Sequence, residues 1–244
     1  MASTGAGAGG GGEQLTVLGA WGSPFLVRVR LALNLKRLSY DYVEVNLAEK
    51  ETNPLLAAAN PVHMKIPVLL HAGKPICESM LIVEYLDDAF PSSDPIILPP
   101  AAADPYARAV ARFWAAFVDG ELLTAWMGIY DGGRSAEERA ASLARARAAL
   151  DRLEGELGEG RRWFGGERVG LVDVALGGFV PAMVASEAAT GVGIVDAART
   201  PMLAAWVERF CALDEAKAAM PPIERLVEVG KKRFADLQAA AASE

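Results

Sequence analysis

A proline-rich segment at residues 91–103, with four prolines, divides the chain into two parts that differ in hydrophobic pattern. Before this segment, short apolar or alternating runs typical of strands lie between stretches with helical periodicity. After it, the sequence has only helical periods and helix-start signals. This contrast predicts an α/β domain followed by an all-α domain. We place the α/β domain at 13–92, a linker at 93–103 and the all-helical domain at 104–244, after a disordered tail rich in glycine and alanine at 1–12.

The first part has the predicted element order β-α-β, then a β-hairpin, then α. Its strands are predicted at Leu15–Leu18, Tyr40–Val45, Pro67–Leu70 and Pro75–Cys77, and its helices at Pro24–Leu38 and Ser79–Phe90. In the second part, three helices begin at clear capping signals, which are Asp104-Pro105, Ser135 with Glu138, and Thr200-Pro201. A nearly all-apolar helix at Leu171–Ser186 is predicted to be the buried centre of this part.

Composition excludes several classes of function. The chain has 24 basic and 31 acidic residues, and the net charge of −7 argues against a nucleic-acid binder and against attraction to an anionic membrane. Two cysteines and two histidines are too few for a disulfide framework or a structural zinc site, so no metal is predicted. No apolar run reaches the ~18 residues of a membrane helix, and the first twelve residues lack the features of a secretory signal. We therefore expect a soluble, cytoplasmic protein.

Three short polar motifs stand where the predicted elements meet. Ser23 begins the first helix, Lys65–Pro67 leads into a strand, and Glu78 with Ser79 begins the second helix. Alone, each motif is explained by helix capping or by a proline turn. Together they form one face, with anion sites at two helix starts and an extended backbone between them that is open for β-augmentation. Such a face fits a small, charged, extended thiol peptide.

These motifs, with others in the second part, resemble the cytosolic glutathione S-transferases, and most of all the tau class of plants. The resemblance covers about residues 15–234 and implies a thioredoxin-like domain followed by an all-helical one. The segments that carry it are Trp21-Gly-Ser-Pro-Phe25, Arg28-Val-Arg30, Asn60-Pro-Val-His63, Lys65-Ile-Pro-Val68, Gly73-Lys-Pro-Ile-Cys-Glu-Ser79, Arg112-Phe-Trp114, Phe164-Gly-Gly166 and Gly170-Leu-Val-Asp-Val-Ala-Leu176.

The resemblance also implies a role for each matching residue. The Ser23 hydroxyl would hydrogen-bond the sulfur of glutathione, and Asp173 would belong to a helix-capping box with a role in folding. Glutathione would be the co-substrate, with no metal or tightly bound cofactor, and the protein would be a homodimer. The other glutathione contacts would be Lys50 and Lys65 at the glycyl carboxylate, the Ile66 backbone before a cis Pro67 at the cysteinyl part, and Glu78 and Ser79 at the γ-glutamyl amine and carboxylate.

The residue type at position 23 indicates which chemistry to expect. A free thiol has a pKa of about 8.5, so few glutathione molecules are thiolates at neutral pH. Ser23 is a hydrogen-bond donor at a positive helix end that would stabilise the thiolate, and it is not itself a covalent nucleophile. Relatives that reduce disulfides carry cysteine at this helix start. Serine therefore favours attack of the thiolate on an electrophilic carbon, or on a peroxide oxygen, over disulfide reduction.

A pocket for hydrophobic electrophiles is expected between the first domain and the first helix of the second. Its candidates by position are Phe25, Tyr106, Trp114 and Phe117, although each aromatic could equally be ordinary core. Trp163 is a further candidate without a spacing argument. We interpret His63 and His71 as surface or structural residues, and Arg30 as a residue that braces the fold.

Three positions depart from the pattern of the tau class. Gly22 stands where proline is common, Met64 stands where a lysine often precedes Lys65, and the sequence Gly177-Gly-Phe-Val-Pro-Ala-Met183 is unusual. These departures concern the loop before Ser23, the charge near the glycyl end and the shape of the electrophile pocket.

The expected function is conjugation of glutathione to hydrophobic electrophiles, with glutathione peroxidase activity as a second reaction of the same thiolate. Two alternatives stay open, since fold does not fix function. The chain could be a non-catalytic, ligandin-type carrier of glutathione conjugates or hydrophobic metabolites, or an interaction module used only for assembly. Ser23 disfavours the carrier, and the combination of Lys50, Lys65, Glu78 and Ser79 disfavours the module.

Overall fold

A four-stranded sheet lies in the first part of the computed structural model, which describes residues 14–130 and 135–241 and so does not include the tail predicted at 1–12. The spatial order of the strands is β2-β1-β3-β4, with β1 parallel to β2 and the other two pairs antiparallel. The strands are β1 (Leu15–Gly19), β2 (Asp41–Glu44), β3 (Val68–His71) and β4 (Lys74–Cys77).

Helices pack on both faces of this sheet because successive residues of β1 point to opposite sides. Val17 lies in the core that the sheet shares with α1 (Pro24–Leu35) and α3 (Ser79–Ala89), which pack against each other. Leu18 lies in a second, smaller cluster with α2 (Pro54–Ala59). The sheet is therefore the middle layer of the α/β part, and β1 leads directly to the start of α1.

The predicted βαβ–ββα order is confirmed, with small differences at the element ends. The sequence prediction missed α2 and the 3₁₀ turn at Leu47–Thr52. Helix α1 ends at Leu35, three residues before the predicted end, because Arg37 has a φ of 55° and closes a Schellman motif. In this motif the Leu38 amide donates to the carbonyl of Leu33 at 2.9 Å.

The described residues after 103 contain helices and turns but no strand of the sheet, as predicted. A wide turn with π-type hydrogen bonds, Val118–Leu123, joins α4 to α5. The helices are α4 (Pro105–Phe117), α5 (Thr124–Ile129), α6 (Ala136–Leu157), α7 (Leu171–Gly177), α8 (Val180–Thr190), α9 (Pro201–Ala212), α10 (Asp214–Ala219) and α11 (Ile223–Ala241).

The prediction of one continuous helix at Leu171–Ser186 is wrong, because the structure divides it into α7 and α8. The proline ring of Pro181 has no amide hydrogen, so it cannot donate to the carbonyl of Gly177, and the helical ladder is interrupted there. Gly178 and Phe179 form the turn between the two helices.

The apolar character of α7 and α8 has a second consequence. The stretch Leu171–Thr190 is long and apolar enough to cross a membrane by length and composition, with a mean hydropathy of 1.5 in its most apolar window. That window is 72% buried inside the protein, however. Its apolar side chains thus contact the core of the helical part, which agrees with the buried central position predicted from sequence.

A buried ion pair fixes the beginning of the segment predicted as a linker. The Lys36 ammonium lies 2.7 Å from the Asp87 carboxylate, and neither side chain is appreciably exposed. Asp87 also accepts hydrogen bonds from the amides of Ile97 and Leu98, and Lys36 donates to the carbonyl of Pro95 at 3.5 Å. The residues up to Leu98 are therefore attached to the first part of the molecule.

Asp173 connects three segments of the helical part. Its fully buried carboxylate accepts hydrogen bonds from the amides of Phe164 (3.0 Å), Gly165 (3.1 Å) and Gly170 (2.8 Å), and from the indole nitrogen of Trp206 (2.7 Å). The Gly170 bond caps α7, as predicted. Burial raises the pKa of Asp173 to about 6, against the lowering effect of these four hydrogen bonds.

This raised pKa predicts a pH dependence of stability. The folded pKa of about 6 exceeds the ordinary value of 3.8, so the folded state binds an extra proton between these two values. The stabilising contribution of the protonated group is complete below about pH 4 and is lost as the pH rises through about 6. We expect the free energy of unfolding of the wild type, relative to Asp173→Asn, to fall over this range in urea titrations. A difference that stays constant with pH would contradict the assignment.

Candidate active site

Ser23 stands at the start of α1. The turn that follows β1 begins at Ala20, three residues earlier. Its backbone is extended, with φ −78° and ψ 122°, and its Oγ accepts a hydrogen bond from the Leu26 amide at 3.3 Å. Pro24 follows at the first helical position, where a missing amide hydrogen costs nothing. Ser23 is therefore an N-cap, and its hydroxyl hydrogen remains available to donate to an anion at the positive end of the helix.

The second predicted motif presents an open backbone. The Ile66-Pro67 peptide bond is cis, and Ile66 lies just before β3. Among residues 14–130 and 135–241, neither the amide nor the carbonyl of Ile66 has a hydrogen-bond partner. Asn60 holds this loop in place, because its side-chain amide donates to the carbonyl of Lys65 at 2.9 Å. The arrangement leaves Ile66 free to pair with an extended peptide.

The third motif stands at the junction of β4 and α3. Glu78 has a φ of 69°, an unusual conformation for a residue with a side chain, and it precedes the first turn of α3 without capping it. Residues held in such strained conformations often mark functional sites. Ser79 is buried, and its Oγ accepts a hydrogen bond from Arg28 at 3.4 Å. A carboxylate beside this helix start would meet the free amides of its first turn.

Lys50 and Lys65 lie in the segment between β2 and β3. Lys50 is in the 3₁₀ turn, and its ammonium is 3.4 Å from the carboxylate of Glu51 on the surface. Lys65 is exposed and has no side-chain partner among the described residues. Both ammonium groups are therefore accessible to a ligand carboxylate.

The sequence does not predict a role for Arg28, which stands there only as part of the Arg28-Val-Arg30 motif. Its side chain is fully buried, and its guanidinium joins the two parts of the molecule. It donates to Ser79, to both carboxylate oxygens of Asp119 at 2.5 and 3.1 Å, and to the carbonyl of Ala175 at 2.9 Å. The sequence signal for such a role is the positive charge of Arg28 among the apolar residues of an amphipathic helix.

The four aromatic residues predicted for the electrophile pocket fall into separate groups. Phe25 meets Phe179 edge to face, with ring centroids 5.7 Å apart. Trp114 packs on Phe117 at 5.3 Å, and the guanidinium of Arg152 from α6 lies 6.0 Å from the Phe117 ring. Tyr106 is 79% exposed at the first turn of α4. Trp114 and Phe117 thus pack together near α6, and the participation of all four residues in a pocket stays a prediction.

Trp163 and the predicted structural residues have clear locations. Trp163 is buried beside an open cavity of about 320 Å³ that lies between the end of α1, the residues around Pro95 and the loop before α7. His63 is exposed, and His71 lies 2.7 Å from the hydroxyl of Tyr85. Within the described residues, no three histidine, cysteine or acidic side chains are grouped as metal ligands.

Arg30 and the loop before Ser23 contact the C-terminal elements. Arg30 donates to the hydroxyl of Tyr40 at 3.1 Å and to the carbonyl of Ala218 at 3.0 Å, which fits a bracing role. The guanidinium of Arg225 in α11 lies 3.8 Å from the ring centroid of Trp21. The loop that precedes Ser23 is therefore covered by α11.

Comparison with known proteins identifies the family to which this architecture belongs. The family model described as "Glutathione S-transferase, N-terminal domain" matches residues 13–88, and the model described as "Glutathione S-transferase, C-terminal domain" matches residues 136–209. A probable glutathione S-transferase from rice, GSTU6, is 51% identical over 217 residues, which cover 86% of this chain and 90% of the rice protein. Glutathione S-transferase U17 from Arabidopsis thaliana is 43% identical, with coverage of 93% and 99%.

Solved structures give the same result. The tau-class glutathione S-transferase from mango superposes with a TM-score of 0.82 at 41% identity, over 90% of this chain and 98% of that one. A rice glutathione S-transferase in complex with glutathione gives 0.82 at 40% identity, over 92% and 98%. The chain therefore belongs to the glutathione S-transferase family. Its relatives include tau-class proteins, so the resemblance and the fold class predicted from sequence are confirmed.

Proposed function

We propose that this glutathione S-transferase conjugates the thiol of glutathione to hydrophobic electrophiles, with the Ser23 hydroxyl stabilising the thiolate. The observation that carries the proposal is the connection between two helix starts through Arg28. Arg28 follows Ser23 by five residues, about 7.5 Å along the helix axis, and contacts Ser79. This link makes Ser23 and Ser79 candidates for the two ends of one site, which an extended tripeptide about 10 Å long would occupy.

The proposed binding mode runs past the loop that leads into β3. The cysteinyl part of glutathione pairs with the free backbone of Ile66 before the cis Pro67, and its glycyl carboxylate meets Lys50 and Lys65. Glu78 accepts from the γ-glutamyl amine, and Ser79 with the first amides of α3 binds the γ-glutamyl carboxylate. The rice relative solved in complex with glutathione supports glutathione as the ligand.

Thiolate formation is the central chemical step. Lowering the thiol pKa by about two units stabilises the thiolate by roughly 2.7 kcal/mol, which makes most bound glutathione reactive at neutral pH. The Ser23 hydroxyl donates to the sulfur, and the amide dipoles at the start of α1 favour the negative charge. The thiolate then forms a carbon–sulfur bond as the leaving group departs with the bonding electrons, or it attacks a peroxide oxygen. In the second case the O–O bond breaks, an alcohol is released, and a second glutathione converts the resulting sulfenic acid to glutathione disulfide and water. Peroxidase activity is thus part of the proposal, with no metal or resident cofactor.

The remaining parts of the proposal concern the molecule's organisation. We assign glutathione binding to residues 13–92 and the electrophile pocket to residues 104–244, with 93–103 as the connection. A homodimer is proposed because Leu81, Tyr106 and Phe113 expose large apolar side chains on α3 and α4. Exposed apolar side chains that group into one large patch mark protein–protein interfaces. A cytoplasmic location is a separate part of the proposal.

Steady-state turnover and glutathione binding together test the proposed function. We expect conjugation of glutathione to chlorodinitrobenzene, measured by product absorbance, and retention of the protein on immobilised glutathione. Retention without turnover would support the ligandin-type carrier instead. Neither retention nor turnover would support the interaction module and refute the glutathione site.

A further inference from the structure

The turn between α7 and α8 contacts the helix that begins at Ser23. A Cβ atom on Gly178 would lie 2.7 Å from the carbonyl oxygen of Pro24 and 2.6 Å from Cγ of Arg28. Real Cβ atoms do not approach backbone oxygens so closely, so any larger residue would displace α1 or the turn. Glycine at position 178 therefore permits this close contact between the two parts of the molecule.

The ring of Phe179, the next residue, lies against the Arg28 guanidinium. The Phe179 ring is buried, and its centroid lies 4.6 Å from the central carbon of the guanidinium. The Phe25 ring is farther away, at 5.4 Å. Cation–π contacts are strongest where water is excluded, and the Arg28 side chain has no solvent exposure. Phe179 is thus the nearer of two aromatic contacts of this cation.

The geometry indicates what the Phe179 ring does for the arginine. The guanidinium donates to acceptors of Asp119, Ala175 and Ser79. The Phe179 ring fills the space beside it and so limits how far the guanidinium can move. The bond to Ser79 is the longest of these hydrogen bonds, at 3.4 Å, whereas the shortest bond to Asp119 is 2.5 Å. If the ring is lost, the guanidinium can tilt into the space left behind, and the bond to Ser79 is the first to break.

We propose that Phe179 is a positioning residue for glutathione binding: it holds Arg28 against Ser79 and so sets the affinity for the γ-glutamyl end from the helical part of the molecule. The proposal rests on the proposed function, since it takes Ser79 as a glutathione contact. The unusual Gly178-Phe179 sequence thereby has a role in binding, beyond general packing of the core.

Substitution of Phe179 separates positioning from core packing. We expect Phe179→Leu to raise the dissociation constant of glutathione, measured by calorimetry, about five- to tenfold. The turnover number for chlorodinitrobenzene at saturating glutathione is expected to stay within about twofold of the wild type. Phe179→Tyr keeps the aromatic face and is expected to restore affinity. Phe179→Met, which nearly conserves volume without a ring, replaces the leucine variant if that protein does not fold.

Phe210→Leu is the matched control, because Phe210 is equally buried in the helical part and stacks on Trp206 rather than on Arg28. It is expected to lower thermal stability to a similar degree and to leave glutathione affinity within about twofold. The proposal is overturned if the Phe179 and Phe210 variants weaken glutathione equally, or if the Phe179 variants leave the affinity unchanged. A wild-type protein that does not bind glutathione would instead refute the proposed function.

Discussion

Replacing Asp173 with alanine is expected to lower the free energy of unfolding by about 5 kcal/mol. The substitution removes the acceptor of four buried donors, three of them backbone amides and the fourth the indole of Trp206. A buried donor left without a partner costs about 1–3 kcal/mol, and water entering the space of the lost carboxylate recovers part of that sum. The effect places Asp173→Ala among the rare single substitutions that approach the whole stability of a domain.

An exposed carboxylate in the same part of the molecule provides the control. Asp151 forms a two-point contact with Arg199 at 2.7 and 2.5 Å, but both side chains are partly exposed to solvent. Exposed ion pairs contribute little, so Asp151→Ala is expected to change stability far less than Asp173→Ala. Equilibrium urea unfolding measures both variants. An Asp173→Ala protein as stable as Asp151→Ala would show that the buried carboxylate does not join the loop, α7 and α9 as described.

Replacing Ser23 with alanine is expected to lower kcat/KM for conjugation by about 10²-fold, or roughly 2.7 kcal/mol of transition-state stabilisation. The variant keeps α1 and its dipole but has no hydroxyl to donate to the sulfur. Binding of glutathione is expected to change much less, because the peptide's other proposed contacts remain. Initial rates at varied glutathione and fixed chlorodinitrobenzene separate the two effects.

Ser23→Ala also removes a helix cap, so the control must remove one too. Ser135 caps α6 in a capping box with Glu138, and its substitution costs about 1 kcal/mol of stability. Ser135→Ala is therefore expected to be destabilised like Ser23→Ala and to conjugate at the wild-type rate. Equal activity in the two variants would mean that Ser23 acts only as a cap.

The sequence was sufficient to predict the elements that rest on local signals. The apolar run at β1, the Ser23-Pro24 start of α1 and the capping box at Ser135 were read correctly because each depends on neighbouring residues. The three polar motifs at Ser23, Lys65–Pro67 and Glu78–Ser79 could be grouped only through their order in the chain and the resemblance to a known family.

Features that depend on distant contacts were not predictable in the same way. The break between α7 and α8 lies in an apolar run. Position 177 must be glycine because Phe210 of α9 occupies the space of a side chain there, with a ring atom 2.2 Å from where a Cβ would lie. The π-type turn at Val118–Leu123 interrupts the regular helical period between α4 and α5, and the local sequence pattern does not predict it.

The most direct test of the central claim is the pKa of the glutathione thiol while it is bound to the protein, followed by the ultraviolet absorbance of the thiolate. In the wild type we expect this pKa to fall from about 8.5 to about 6.5. In Ser23→Ala, titrated at saturating glutathione, most of this decrease should be absent. Identical titration curves for the two proteins, or a bound thiol with the pKa of free glutathione in the wild type, would contradict thiolate stabilisation by Ser23.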